Sequence, residues 1–356
     1  MKVSAALLPV ALSGAIASVA VAPAHAAGHR AAPGRGARCV TVDRLTQTSA
    51  QAAATPRYWN PSRTRAAAGA TQADLARALT SQRPAGSAAA LPRLTRLCQP
   101  GLAAVPDHGT ALPAAAGPVR SGDGYPTVGK FFYKVDDIPF NCTATVIGTN
   151  MIVTAAHCFK GDEYTHKYTT SNWMFAPMWH GNRFPYGKWY VQSVYIVQPW
   201  ISELNPKFDF AVVILGSQHR HGVAYHTGQD AWNASWFPNP GQTTPIRIAG
   251  IPGNSKKALT DVTTAVAVEV GRRIEALRAS TPGFGNGTSG GPWFRSFSVR
   301  NGTGTLDGVT GGYQDGGSNA SPSYADIFSW YFSDLIAAAS KRITHCNSTG
   351  DCRYWP

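Results

Sequence analysis

From Gly124 onward the chain consists mainly of short runs of β-branched and aromatic residues, and this pattern limits the fold more than any other feature. Gly, Pro and Asn clusters separate the runs, which are KFFYKV, CTATVIG, MIVTAAH, WYVQSVYIV, FAVVIL, IRIAG, AVAVEV and TLDGVTGGY. Many short strands at such spacing are typical of an antiparallel barrel or sandwich. One late stretch, SWYFSDLIAAASKRI, has helical spacing instead, with apolar Trp330, Phe332, Leu335, Ile336 and Ala339. The sequence therefore predicts an all-β protein with a C-terminal α-helix.

Residues 1–26 have the layout of a secretory signal peptide. One lysine precedes an apolar run from Val3 to Ala22, and the small-residue triplet Ala24-His25-Ala26 follows. A membrane anchor is the alternative, but the run is rich in Ala, Ser and Gly and meets Pro23 at once. Since no later stretch is long and apolar enough to span a bilayer, we expect a secreted, extracellular protein with no membrane partner.

Residues 27–120 form a leader of different composition, rich in Ala, Pro and Arg, whose only aromatic residues are Tyr58 and Trp59. Such a segment buries little apolar surface, so we expect low order apart from one short helix over Thr71–Gln82. We interpret the leader as a propeptide that is removed by a cut after Arg120, on a flexible stretch. A permanently attached, disordered linker is the alternative.

The formal net charge of +13 raises the question of nucleic-acid binding. The leader holds 12 Arg, no Lys and 3 Asp, whereas the residues from Ser121 onward hold 19 Lys plus Arg against 16 Asp plus Glu. A phosphate-binding face needs basic residues clustered in the folded part. Because the excess of basic residues lies in the leader, we expect no nucleic-acid partner. Separately, we expect the protein to be a monomer.

Six cysteines fit an oxidising compartment. Their spacing suggests the disulfides Cys39–Cys98, Cys142–Cys158 and Cys346–Cys352, out of the fifteen pairings that six cysteines allow. No pair has the C-x-x-C spacing of a zinc or redox site, so we predict no metal site.

The stretch NGTSGGPWF, from Asn286 to Phe294, contains a serine between glycines. It is compatible with a plain turn, with the nucleophile elbow of an esterase-type hydrolase, or with the nucleophile loop of a serine peptidase. The elbow needs a helix that begins at the serine, followed by an acid and a histidine. Gly290, Gly291 and Pro292 are poor helix formers, and only His345 lies downstream. These features disfavour the elbow.

His157 and Asp209 precede Ser289 in the order that a peptidase needs for its base and its orienting acid. His157 ends an apolar run directly before Cys158, and Asp209 begins another, in KFDFAVVIL. A histidine suits the base because its ordinary pKa lies near working pH, and a carboxylate at its other ring nitrogen fixes the tautomer. A turn serine, a strand-end cap and a core histidine are the ordinary explanations of the three residues taken singly.

Three stretches resemble the trypsin/chymotrypsin-like serine peptidases, specifically their bacterial, glutamyl-endopeptidase-like branch: TAAHC at 154–158, DFAVV at 209–213 and GTSGGP at 287–292. The similarity extends from about Gly124 to Ile343, with weaker matches at PTVGKFFY, AGIPG and SYADI. It implies two six-stranded antiparallel β-barrels, residues 121–225 and 226–356, with the site between them.

The resemblance implies a serine endopeptidase that needs no cofactor and whose partners are a protein or peptide substrate and its own propeptide. His157, Asp209 and Ser289 would be catalytic, and the N–H groups of Gly287 and Ser289 would form the oxyanion hole. The Cys142–Cys158 bridge would hold the histidine turn in place. A catalytically silent binding protein with the same fold is the alternative.

Two departures from the family pattern concern activation and specificity. Thr288 stands where animal digestive relatives carry an Asp that pairs with a freed N-terminus, so that switch is not expected. The trypsin-type acid before the serine is missing, and Thr310 stands where glutamyl-specific relatives carry a His. The resemblance implies that Thr310, Gly311, Gly312 and Tyr313 bind substrate, the last three as an edge strand, with a small or apolar preference.

Overall fold

The computed structural model of the protein describes residues 39–69, 74, 78, 94–98, 108–114, 125–161, 170–253, 255, 257–269, 274–280, 285–317 and 322–340. All of them lie in the larger of the two units into which the chain divides, Ala37–Pro356. The predicted signal peptide lies outside the described residues. No helix within them is long and apolar enough to cross a membrane.

Residues 39–69 of the leader are folded, which corrects the expectation of low order for this part. Strand β1 (Cys39–Leu45) precedes helices α1 (Ser49–Tyr58) and α2 (Pro61–Gly69), and β2 (Leu94–Cys98) pairs antiparallel with β1. Of the helix predicted over Thr71–Gln82 only Asp74 and Ala78 are described, and both are helical.

A single tryptophan anchors the folded part of the leader. Trp59 is 1% exposed, its ring lies 5.3 Å from that of Phe132, and its Nε1 donates to the carbonyl of Asn172. Thr48 caps α1 in a reciprocal capping box with Gln51. The average composition of the leader predicts little burial of apolar surface. One large aromatic side chain nevertheless buries about 150–250 Å² when it packs against the barrel.

Six strands form the first barrel: β3 (Val128–Val135), β4 (Ile138–Gly148), β5 (Met151–Thr154), β6 (Ser171–Pro177), β7 (Trp189–Val197) and β8 (Ala211–Leu215). Their order is β7-β6-β3-β4-β5-β8, and pairing of β7 with β8 closes the barrel. β1 adds to β7 from outside, with Val42 opposite Val197. Two short helices follow β7 and β8: α3 (Gln198–Glu203) and α4 (Val223–Thr227).

The second barrel begins after a short strand, β9 (Ala231–Trp232). It contains β10 (Thr243–Gly250), β11 (Leu259–Glu269), β12 (Ile274–Ala279), β13 (Pro292–Ser298), β14 (Thr303–Thr310) and β15 (Ser323–Ile327). The order is β13-β10-β11-β12-β15-β14, closed by β13–β14 pairing. Two closed six-stranded antiparallel barrels confirm the predicted fold class.

The first barrel is apolar on both faces, as strand β8 shows. Val213 and Leu215 point into the core of the barrel, whereas Val212 and Ile214 join a second cluster between the barrels. Successive side chains of a strand alternate between faces, so burial of both faces explains the uninterrupted apolar run.

The C-terminal helix α5 (Trp330–Ser340) belongs to the cluster between the barrels. Phe332, Leu335 and Ala339 are 0% exposed, and the rings of Phe332 and Phe328 stack at 3.7 Å. This buried face confirms the helical spacing found in the sequence.

The predicted disulfides differ in how far the structure describes them. Cys142 and Cys158 are bonded, with an S–S distance of 2.04 Å. The main chains of Cys39 and Cys98 are directly opposite in the β1–β2 register, while their side chains lie outside the described part. Opposed residues of antiparallel strands have the separation that a disulfide spans, which is compatible with the predicted bridge. Because the side chains are not described, this bridge stays a prediction. Cys346 and Cys352 lie outside the described residues.

Asp230, whose carboxyl group is buried, joins the two barrels through its main chain and its side chain. Its N–H donates to Val146 O of β4 at 2.8 Å, and its Oδ1 accepts from Gly304 N of β14 at 2.7 Å. Burial raises the pKa of Asp230 to about 8 because water no longer solvates the charged form. The folded protein therefore binds this proton more tightly than the unfolded chain does.

We predict that Asp230→Asn changes the pH dependence of stability. With a folded pKa of about 8 against an ordinary value of 3.8, the contribution of the proton to the unfolding free energy is full below the lower value and lost as pH rises through the higher one. Asparagine keeps an acceptor and does not ionise. The free energy of unfolding of the variant, relative to that of wild type, should therefore increase as pH rises from about 5 to about 8. Urea titrations at several pH values measure this difference. A difference that does not change with pH contradicts this prediction.

Candidate active site

His157 lies in a 3₁₀ turn, Ala156–Cys158, immediately after strand β5. The residue is 6% exposed. The Cys142–Cys158 disulfide ties this turn to β4, with the two Cα atoms 6.4 Å apart. In the loop-entropy treatment a bridge over so short a loop contributes about 3 kcal/mol to stability. The histidine thus projects from a turn that is covalently fixed to the barrel.

Asp209 lies two residues before the start of β8 and is fully buried. Its Oδ2 lies 2.7 Å from His157 Nδ1, and its Oδ1 accepts the main-chain N–H of His157 at 2.8 Å. From the second barrel, Gly312 N donates to Oδ2 at 2.8 Å. A carboxylate that faces Nδ1 favours the tautomer with the proton on that nitrogen, which leaves Nε2 as the basic position.

The Ser289 loop lies against the residues that precede His157. Thr143 N of β4 donates to Ser289 O at 2.8 Å. Gly290 has φ +79°, and a Cβ there would lie 2.0 Å from Thr154 Oγ1 and 2.6 Å from Ala155 N. Only glycine permits this approach. The glycine that follows the serine in the sequence motif therefore reflects close packing of the loop on the residues before the histidine turn.

The Asn286–Gly287 and Thr288–Ser289 peptide groups are held by their carbonyl oxygens. Gly253 N donates to Asn286 O at 2.7 Å, and Gly291 N donates to Thr288 O at 2.8 Å. In a planar trans peptide the N–H points away from the C=O. These two bonds thus orient the N–H groups of Gly287 and Ser289, the two predicted oxyanion donors. In the part of the chain that the structure describes, neither N–H donates to another protein group.

Thr143 was missed by sequence reasoning although it contacts the serine loop twice. Besides its N–H bond to Ser289, its Oγ1 donates to Gly287 O at 2.8 Å and accepts from Ile251 N at 2.8 Å. The sequence feature that indicates a role for Thr143 is its position directly after Cys142. Thr143 connects the first barrel, the serine loop and the Ile251 segment through one hydroxyl group.

The side chain of Thr288 forms a hydrogen bond within its own turn, which accounts for a threonine at the position where the animal digestive relatives carry an Asp. Its Oγ1 donates to Gly285 O at 2.7 Å, and the residue is 3% exposed. A threonine here stabilises the loop locally.

The predicted edge strand at 311–313 is wrong in its geometry. Strand β14 ends at Thr310, and a 3₁₀ helix begins at Tyr313. The chain turns because Gly312, at φ +72°, directs its N–H to Asp209. Thr310 is 2% exposed, and its Oγ1 accepts from Trp293 Nε1 at 3.0 Å. A role of these residues in substrate binding stays a prediction.

Cys142, His157 and Cys158 are the one group of metal-ligand atoms that lie together among the described residues. Both sulfur atoms belong to the disulfide. Metal ligation by cysteine requires thiolates, so the grouping does not indicate a metal site.

Comparisons with known proteins agree with this geometry. The family model of trypsin matches residues 120–336. The fold is similar to the protease Anisep from Arthrobacter nicotinovorans, with TM-score 0.52, 21% identity, and coverage of 62% of this chain and 97% of that one. It is also similar to AL20, a thermostable serine protease from an extremophilic microorganism, with TM-score 0.52, 20% identity, and coverage of 62% and 99%. A search of curated proteins found no match.

The structural similarities show the same two-barrel architecture, and the family match covers more than half of the chain. Together they confirm the resemblance found in the sequence. The chain therefore belongs to the trypsin family, as a serine endopeptidase.

Proposed function

We propose that the protein is a secreted serine endopeptidase in which Ser289 is the nucleophile, His157 the general base and Asp209 the group that orients the base. One observation carries this proposal: His157 Nδ1 lies 2.7 Å from the buried carboxylate of Asp209, in a turn against which the Ser289 loop packs. A serine hydroxyl needs an adjacent base to act as a nucleophile near neutral pH.

The proposed reaction is acyl transfer in two halves. Ser289 Oγ attacks the carbonyl carbon of the substrate while its proton passes to His157 Nε2. The tetrahedral intermediate then breaks its C–N bond, and His157 returns the proton to the leaving amine. In the second half water takes the place of Ser289 Oγ and releases the acid. Asp209 stabilises the imidazolium that forms at each proton transfer.

The N–H groups of Gly287 and Ser289 are the proposed donors to the developing oxyanion. Support comes from the hydrogen bonds that fix the carbonyls of Asn286 and Thr288, because donors held before the reaction need no reorganisation during it. One such donor is worth about 3–4 kcal/mol in related chemistry.

We predict that a fluorophosphonate probe labels the protein and that Ser289→Ala abolishes labelling. The phosphonyl group reacts with an activated serine alone, so Ser296→Ala, which removes an exposed serine of β13, should be labelled like wild type. Gel fluorescence measures labelling, and circular dichroism shows that both variants fold.

Labelling that survives in Ser289→Ala would refute the nucleophile assignment. Wild-type protein that folds but is not labelled would favour the alternative, a silent binding protein. If the wild-type protein is labelled, digestion of a mixed peptide library by wild-type protein free of the probe gives the specificity, for which a small or apolar residue before the cut is the expectation.

We predict that Asp209→Asn lowers kcat by about 10⁴-fold while the protein still folds. An amide presents N–H to His157 Nδ1 or leaves the ring in the wrong tautomer, and the basic Nε2 is lost. Asp137→Asn, which changes an exposed carboxylate beside Lys134, is the matched control and should keep wild-type kcat. A loss of less than about tenfold in Asp209→Asn means that the pair does not act in catalysis.

Secretion and processing of the leader are part of the proposal. The buried Cys142–Cys158 disulfide and the apolar start of the chain support export, since disulfides persist outside the cytosol. We propose that the leader, 27–120, is cleaved after Arg120 and that residues 39–69 remain bound. The buried Trp59, the β1–β7 pairing and the bond from Lys188 Nζ to Trp59 O support this.

We predict that the cleaved leader co-elutes with the barrels. A site for a sequence-specific protease would replace residues 117–120 in the Ser289→Ala protein, which removes self-digestion as a complication. After cleavage both fragments should elute together in size-exclusion chromatography, and Trp59→Ala should release the leader at concentrations at least about tenfold higher, because the main buried contact is lost. Separate elution of the unaltered fragments contradicts continued binding.

A further inference from the structure

Lys130, on strand β3, has a buried ammonium group that the proposed reaction does not use. The residue is 0% exposed, and its Nζ lies 4.3 Å from the ring centre of Trp179. Nζ donates to Pro252 O at 3.3 Å and to Gly253 O at 3.4 Å. Burial lowers the pKa of Lys130 to about 7. A lysine is seldom fully buried because desolvation of its charge is costly, so these contacts need an explanation.

The amine brings two consecutive carbonyl groups to one point. A lysine ammonium has three N–H donors. Two of them reach the carbonyls of Pro252 and Gly253, and the face of Trp179 covers the nitrogen as a cation–π partner. This segment follows strand β10 and has left its hydrogen-bonded ladder. The side chain of Lys130 thus fixes a stretch of main chain that no strand holds.

Gly253 passes this constraint to the serine loop. Its carbonyl accepts from Lys130, while its own N–H donates to Asn286 O at 2.7 Å. Asn286 O belongs to the same peptide group as the N–H of Gly287. Because that group is planar, the bond from Gly253 determines the direction in which the Gly287 N–H points. Two hydrogen bonds, from Lys130 to Gly253 and from Gly253 to the Asn286–Gly287 peptide, connect the amine to the proposed oxyanion hole.

We propose that Lys130 is a positioning residue for the oxyanion hole, acting through Gly253 on the Asn286–Gly287 peptide. The inference rests on the proposed function of Gly287 as an oxyanion donor. Without the amine, the Pro252 and Gly253 carbonyls have no donor from Lys130 and the Gly253 N–H loses its fixed direction. The Gly287 N–H is then free to turn away from the substrate. Loss of one oxyanion donor costs about 10²–10³-fold in kcat, and a poorly aimed donor costs part of that.

The test uses Lys130→Met, which keeps the length of the side chain and removes all its donors. Lys130→Gln, which keeps an N–H donor on a shorter side chain, is the second variant. Lys188→Met is the matched control: Lys188 Nζ also lies over an aromatic ring, that of Phe184, and also donates to a main-chain carbonyl, that of Trp59. Lys188 is half-buried and has no such path to Gly287, so it separates a general effect of removing an amine that bonds a main-chain carbonyl from an effect on the oxyanion hole.

Three experiments are carried out on the full chain. End-point fluorophosphonate titration counts the active sites, and steady-state kinetics gives kcat and KM per titrated site. The third experiment measures inhibition by a peptide aldehyde, whose adduct carries an oxyanion. We expect Lys130→Met to lower kcat by about tenfold or more, to weaken aldehyde inhibition by a similar factor and to leave KM nearly unchanged. Lys130→Gln should fall between this variant and wild type. Lys188→Met should keep wild-type kcat and aldehyde inhibition.

Wild-type kcat and aldehyde inhibition per titrated site in Lys130→Met overturn the proposal, even if the variant is less stable. An equal loss in Lys188→Met overturns it as well. If Lys130→Met does not fold, Lys130→Gln decides by the same criteria. Failure of the proposed function looks different, since activity would then persist in Ser289→Ala whatever the Lys130 variants show.

Discussion

The buried carboxyl group of Asp209 is the interaction on which the arrangement of the two barrels depends. A carboxyl group with no access to water must find hydrogen-bond donors in the protein. Asp209 takes two of them from His157 in the first barrel and one from Gly312 in the second. This one desolvated group thus links the position of the second barrel to the orientation of the histidine ring. A shift between the barrels would leave that group short of a donor.

The serine loop is shaped by main-chain hydrogen bonds more than by its side chains. Thr143 holds the carbonyl of Gly287 and that of Ser289, and Gly253 holds that of Asn286. Two of these bonds come from strand β4 and one comes from the segment after β10, so the loop is fixed from two sides. Such prior fixation is what allows N–H groups to stabilise a developing charge without moving.

The features found correctly from the sequence are those that short stretches encode. The run AVVIL, the disulfide around His157 and the spacing of α5 each depend on neighbours a few residues apart. Strand β6 was missed because SNWMFAP has no β-branched residue, and β12 because IEALRA favours a helix by propensity. Lys130 was missed for a different reason: on its strand it lies on the same face as Lys134 and alternates with Phe131, as a surface lysine would, whereas Trp179 and residues 252–253 contact its amine. Contacts of this kind join segments far apart in the chain, and a local pattern does not contain them.

The placement of β1 on β7 has a consequence for the handling of the protein. Residues 42–45 cover the outer hydrogen-bonding groups of 194–197, where β7 extends beyond its partner β6. A protein that lacked these leader residues would present a bare strand margin of Val194, Tyr195, Ile196 and Val197, all apolar or aromatic. Exposed margins of this composition recruit other chains through the same pairing. A protein trimmed back to the barrels is thus expected to self-associate through this strand edge.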